Sequence, residues 1–347
     1  MKASLRELCC AVQRNCHISD ARHGTDYGLC TYLLKMREYY RWENGLDYGV
    51  PLTNESVGEW LTQREKLWDS LSDDDFAPLP FEGELIDPFD VDRVNELLEP
   101  YGLVYSAGYG SKSKPLFFLA HLERREEPGG ASVWVAGREL ARDLMAPAAM
   151  SQGDRIYIRR ESFRRLLWER LENWRWRRPD NAMGRAFNFY DFEDDLERAL
   201  DEMVEKELDV VLLHEQGEYQ AGRVLGELWN RMLSDLGHSP AELMARALRD
   251  HLADCQVTLP SLIEREDRAS IHFFVGGVTG MRKKLFPSLI AAYERWYNEG
   301  DWEPLTAAAQ TGREHWQTLA MGLLRLYREQ PDRARVEITS LLEANPL

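Results

Sequence analysis

From about residue 191 to residue 344 the apolar residues recur at helical spacing with no strand pattern between them, which leaves this half of the chain little to fold into except packed helices. The spacing predicts helices over 191–206, 208–236, 240–256, 267–298, 302–329 and 331–344, with Ser239-Pro240 and Asp301 as recognisable starts. In the second of these, positions 214, 218, 221, 225, 228 and 232 stay within about 40° of one line, because each residue turns about 100°. Their occupants are His214, Glu218, Ala221, Leu225, Leu228 and Met232. A histidine and a carboxylate therefore fall on the core-facing stripe, where burial without a partner would cost several kcal/mol. Each other or a metal ion would suffice as partner. At i and i+4 both can reach one ion, with Glu215 flanking.

The first half is mixed. Ser4-Leu5-Arg6-Glu7 reads as a capping box, after which Leu5, Leu8, Cys9, Val12 and Cys16 recur at helical spacing up to His17. A second helix runs to Asn44-Gly45 with Leu29, Leu33, Met36 and Tyr40 on its inner side, leaving Arg37, Glu38 and Arg41 as an internal ion-pair set. Helices follow over 54–71 and 90–98, separated by a proline-punctuated acidic connector. Leu103 to Ala107, Pro115 to Arg124 and Ala131 to Ala136 carry strand patterns, with Pro128-Gly129 as a turn, and read as a small antiparallel meander. Gly108 to Lys114 holds phosphate-loop residue types without the phosphate-loop spacing, so it reads as a hairpin loop. Pro179 to Gly184 is the strongest boundary pattern, giving two domains, 1–180 and 181–347. The expected class is mainly α, a helical bundle with a small β-meander in the N-terminal half, α+β taken together.

Residues 16 to 26 hold a second group of metal-ligand types. His17, Asp20, His23 and Asp26 recur every third residue in a chain with eight histidines. Three helical steps turn about 300°, so the four cannot share one narrow face, yet His17 with Asp20, and His23 with Asp26, can pair as carboxylate and imidazole. Gly24 and Thr25 look like a break and an N-cap. His272 borders a buried stripe of Ile271, Val275, Val278, Leu285 and Leu289, and Gly276, Gly277 and Gly280 imply close helix approach, a kink or room for a ligand. Arg282, Lys283 and Lys284 then offer an anion-binding cluster. A site of His17, Asp20, His23, His214, Glu218 and His272 would suit Zn, Fe or Mn, in hydrolytic or redox chemistry.

Composition narrows the alternatives. With 347 residues, of which 44% are hydrophobic, the chain can bury a large core. A net charge of −16 and a pI near 5.1 argue against nucleic-acid binding as its main role. Nine arginines between Arg155 and Arg178, interleaved with aromatic residues, are the exception. Phe163, Leu167, Leu171 and Trp174 line one face there, so the arginines are expected on a solvated face, with a non-enzymatic interaction or anion-binding role as the alternative function. No apolar run approaches a membrane span and no signal-peptide core opens the chain, which predicts a cytoplasmic protein. The five cysteines form no CxxC pair, and a disulfide framework is not expected.

The segments CHISDARHGTDYGLCTYLLKMREYYRWE, HEQGE and IHFFVGGVTGMRKKLFP together resemble a bacterial family of conserved hypothetical proteins, a resemblance that covers most of the chain and implies no activity. A ferritin-like di-iron site is disfavoured because no Glu-x-x-His pair occurs. A zincin is excluded because His214-Glu215 lacks the second histidine of HExxH.

Overall fold

Helical and alternating periodicities both become structure in a computed structural model of the chain, which describes residues 3–110, 114–127 and 130–347. It is 66% helical and 13% strand, an α+β fold. The chain forms two compact units. One comprises Met1–Glu127, Ser132–Glu169 and Phe192–Asp201; the other comprises Pro128–Ala131, Arg170–Asp191 and Glu202–Leu347.

The first unit begins with helix α1 (Ala3–His23), a 3₁₀ turn (Gly24–Asp26), α2 (Leu29–Glu43) and α3 (Asn54–Leu71). The acidic connector contains a hairpin, β1 (Leu79–Phe81) and β2 (Glu84–Ile86). Its two turn residues, Glu82 and Gly83, both have positive φ, the requirement of a two-residue hairpin loop that usually selects Asn-Gly. After α4 (Val91–Leu98) come β3 (Leu103–Tyr109), β4 (Pro115–Glu126), β5 (Ser132–Arg142), β6 (Ala149–Gln152), β7 (Arg155–Arg159) and α5 (Arg160–Arg175, its last residues counted with the second unit). The expected meander is β3-β4-β5, and the sheet continues through β7 to β6. β7 runs parallel to β5 while the other pairs are antiparallel. Register shifts between β4 and β5 mark bulges, which curl a sheet. Leu8, Val12 and Cys16 of α1 join Tyr105, Phe117 and Leu119 of the sheet in one core. The Pro128-Gly129 turn and residues 111–113 of the Gly108–Lys114 loop lie outside the described residues.

Three sequence expectations need correction here. The inner side of α2 is Met36, Glu38, Tyr39 and Arg41, while Leu29 and Leu33 are exposed. The ion pairs of Glu38 with Arg37 (2.8 Å) and Arg41 (3.2 Å) form as expected, and burying them turns the leucines outward. The helix starts at Leu29 with Gly28 as N-cap, after Thr25. Of the arginines between 155 and 178, Arg159 and Arg165 are buried rather than solvated, because Arg159 lies on a strand and pairs with Glu139 (2.8 Å), while Arg165 donates to the carbonyls of Met145 and Ala146.

The second unit is helical: α6 (Ala182–Phe187), α7 (Leu196–Leu225, its first residues counted with the first unit), α8 (Glu227–Leu236), α9 (Pro240–Ala253), α10 (Leu259–Glu264), α11 (Arg268–Gly277), α12 (Gly280–Leu285), α13 (Pro287–Glu299), α14 (Glu303–Glu329) and α15 (Ala334–Glu343). The helix expected over 208–236 breaks at Gly226, whose φ is +69, so the buried face of α8 carries Trp229 in place of Leu228. The span 267–298 becomes three helices because the backbone is extended at Val278 and Pro287 cannot continue a helix from the preceding turn. A five-residue π-turn (Asp254–Thr258) separates α9 from α10, just before Pro260, which lacks the N–H that an unbroken α-helix would need. The Pro179–Gly184 stretch lies inside this unit as the turn from α5 into α6, with Asn181 capping α6.

Close helix approach explains Gly276 and Gly217, while Gly280 is held at a positive φ of +55. A Cβ on Gly276 would lie 2.8 Å from the Met183 backbone, and one on Gly217 would lie 2.5 Å from the Ala253 carbonyl. Gly222, on the same helix as Gly217, has nothing within 4 Å. Alanine ordinarily stabilises a helix by about 1 kcal/mol over glycine. Gly222→Ala should therefore raise stability by about 0.5–1 kcal/mol, whereas Gly217→Ala and Gly276→Ala should lower it by about 1–3 kcal/mol through overpacking. Denaturant unfolding of the three variants measures the opposite signs.

Candidate metal centre

Gly217 lets the face of α7 that bears His214 and Glu218 come against the end of α9. The polar residues that this brings together are His214 and Glu218 from α7, Arg249 and Asp250 from α9, Asp254 from the π-turn and Arg282 from α12. Asp254, 1% exposed, is the fixed point. Its Oδ1 lies 2.8 Å from His214 Nδ1 and accepts from Thr258 Oγ1 at 3.2 Å, and its Oδ2 accepts from Arg282. His214 Nε2 then faces Glu218 Oε1 at 3.8 Å. Arg249 donates to the same Glu218 oxygen at 2.8 Å, and Arg282 Nε lies 4.0 Å from Asp250. His214, Glu218 and Asp250 each offer one ligand atom, and these three atoms lie within 4.8 Å of one another. Among the described residues this is the one such group.

The electrostatics follow from that crowding. Burial raises the Asp254 carboxyl, but Arg282 and then His214 outweigh it and hold the group at about 2. Burial lowers His214, but Asp254 outweighs it and lifts the imidazole to about 9. Asp250 is pushed up to about 7, by burial and by the neighbouring Glu218 charge. Glu218 is held below its ordinary value because Arg249 and His214 overcome its burial. Two adjacent carboxylates of which one keeps its proton are the expected answer to like charge at close range.

The remaining sequence candidates have other surroundings. In the first unit, His17 is buried with Arg64 Nη1 2.9 Å from its Nε2 and Trp68 donating to its Nδ1 at 3.2 Å, and burial and Arg64 lower it to about 3. Asp20 is fully buried and accepts from Lys114 Nζ and from the Leu144 backbone, both at 2.8 Å. Lys114, at the end of the stretch read from sequence as a hairpin loop, is therefore turned inward as the counter-ion of Asp20. His23 pairs with Asp26 at 3.2 Å near the surface. In the second unit, His272 lies 2.7 Å from the Tyr293 hydroxyl, among the rings of Phe189, Trp296 and Tyr297. Arg282 points inward to Asp254, Lys284 lies 3.8 Å from Glu343 at the surface, and Lys283 is exposed. Sequence reasoning missed Asp250 and Asp254, which on an amphipathic helix look like any solvated charge.

Models for the N-terminal and C-terminal domains of a family of unknown function (DUF6866) match residues 7–159 and 164–345. The chain belongs to the DUF6866 family. No curated protein and no solved structure matches it. His214, Glu218, Asp250 and Asp254 all fall within the DUF6866 C-terminal domain.

In the metal-free protein the raised His214 contributes stability that is fully present below its ordinary value of 6.5 and is lost as pH rises through about 9. Asp250, raised from 3.8 to about 7, adds a fall of the same sign at lower pH. Stability should drop by about 2 kcal/mol between pH 6.5 and 9, and His214→Gln should flatten that limb. Urea unfolding across the range checks it.

Proposed function

We propose that the chain is a metal-binding protein in which His214, Glu218 and Asp250 hold one divalent cation, zinc, iron or manganese, at a site that serves metal-dependent hydrolytic or redox chemistry. The observation that carries this reading is the orientation of His214. Its Nδ1 is committed to a buried carboxylate, and that leaves Nε2 facing two more carboxylates, the arrangement in which an outer carboxylate fixes the tautomer and basicity of a metal-bound imidazole. Three protein ligands would leave a coordination position for water or substrate, as in catalytic rather than structural sites. A bound cation would supply Lewis acidity there. Arg249 and Arg282 hold Glu218 and Asp254 in place and offset part of their charge. We assign the protein to a bacterial cytoplasm, on the sequence resemblance and on cysteines that form no disulfide framework. No helix among the described residues is long and apolar enough to cross a membrane.

Charge balance gives the reading a quantitative consequence. Without metal, Glu218, Asp250 and Asp254 are answered by Arg249, Arg282, the His214 proton and the proton that Asp250 retains. A divalent cation would replace those last two protons without changing the net charge. Zinc titration by calorimetry in buffers of different ionisation enthalpy should therefore release about two protons near pH 6 and about one near pH 8, since Asp250 has then already ionised.

Elemental analysis decides the reading itself. Protein purified without added metal should carry zinc, iron or manganese, and its melting temperature should fall on exposure to a strong chelator. The double variant His214→Gln with Glu218→Gln should fold, since the two amides still offer a donor to Asp254 and an acceptor to Arg249. It should contain no metal and ignore the chelator. Wild-type protein that is metal-free and melts identically with and without chelator would overturn the proposal.

A further inference from the structure

The first unit holds a cavity of about 400 Å³, within the size range of small-molecule sites. It is lined by six arginines, Arg41, Arg138, Arg142, Arg160, Arg164 and Arg165, against four acidic residues. Most of these guanidiniums are already engaged. Arg41 pairs with Glu38, Arg164 with Glu197 and Asp201, Arg165 with Glu169, and Arg160 with Glu123.

Arg142 is different. Its side chain is 2% exposed, yet among the described residues its guanidinium donates no hydrogen bond. Its ion pair with Glu139 is long, 3.8 Å, because Glu139 is committed to Arg159 at 2.8 Å and to Ser162 at 2.6 Å. Arg142 Nε has no partner at all. The guanidinium is held instead by rings, 4.8 Å from the centroid of Trp42 and 5.3 Å from that of Tyr39. A guanidinium carries five donors and cannot shed its charge, so leaving it desolvated and unpaired is costly. Packing that fixes its plane while leaving the donors unused is what a preformed site for a planar or tetrahedral oxyanion requires. Arg138, exposed at the same cavity, forms no ion pair among the described residues. Arg142 and Arg138, the two lining guanidiniums without a close carboxylate, together match a phosphate monoester, which carries about −1.5 to −2 near neutral pH. The faces of Trp42 are taken by Tyr39 and Arg142, but Trp42 and Tyr48 stay half-buried at the cavity wall, where the organic part can pack against their ring edges.

We propose that this cavity binds a small, ring-bearing phosphate monoester, with Arg142 as the buried donor to the phosphoryl oxygens and Arg138 as the outer one. The site is independent of the metal centre.

Calorimetric titration of the full chain at low ionic strength, with inorganic phosphate and with phenyl phosphate as probes, tests it. Wild-type protein should take up both saturably, phenyl phosphate more tightly. Arg142→Met should weaken both at least about tenfold, and Arg138→Gln should weaken both several-fold. No saturable uptake of either probe by wild type would overturn the proposal, and so would affinities left unchanged by both arginine substitutions. Should Arg142→Met fail to fold, Arg138→Gln decides alone, since an exposed side chain without an ion pair can be neutralised without disturbing the core.

Discussion

A carboxylate with almost no access to water has to be met by donors from several directions, and Asp254 shows how much of the second unit hangs on that requirement. It sits where α9 gives way to the π-turn. Its two oxygens are answered by His214 from α7, Thr258 from its own turn and Arg282 from α12. Three segments far apart in sequence are thereby held at one point by hydrogen bonds that keep their strength in a low-dielectric surrounding. His251, one turn before Asp254, strengthens the same junction, its Nε2 lying 2.8 Å from the Arg282 carbonyl while its ring stacks on Trp316. Such an arrangement is worth less as raw stability than as specification, because each donor that strays leaves a buried charge behind it.

The first unit uses the same device twice. Asp20 joins α1 to Lys114 at the start of β4 and to the backbone just beyond β5. Glu139 joins β5 to Arg159 on β7 and to Ser162 on α5. These links fall where local preference is weakest, at strand ends and at the parallel pairing of β5 with β7, which no hairpin turn could fix.

Which parts of this were legible in sequence follows from the range of the interactions. The helices of the second half and the β3-β4-β5 meander are local patterns, and apolar spacing finds them, though not the breaks at Gly226, Val278 and Pro287 nor the unbroken run of α7 through residue 207. The stripe through His214 and Glu218 was legible for the same reason: a polar residue at a core position is conspicuous. Asp250 and Asp254 were not, because their burial depends on Gly217 admitting a helix that lies over thirty residues away in sequence, and a glycine does not announce its neighbour. The exposed Leu29 and Leu33 mislead in the opposite sense, since the apolar stripe of α2 loses its place to the buried Glu38 and Arg41. The β1–β2 hairpin was hidden by a Glu-Gly turn among prolines and acids, where the usual Asn-Gly or Asp-Gly marker is missing.

Each unit also leaves one kind of charge under-answered, and the two surpluses differ in sign. In the helical unit, carboxylates outnumber guanidiniums around His214, so the cluster must either retain protons or take a cation. In the sheet-containing unit, Arg142 is left without a close carboxylate because Glu139 is committed to Arg159 and Ser162, and an arginine cannot balance its charge by giving up a proton. The first imbalance can therefore be relieved by pH alone, which makes proton release the natural readout of its ligand. The second can be relieved only by an anion, which makes Arg142 the residue whose removal should cost the chain least in charge and most in binding.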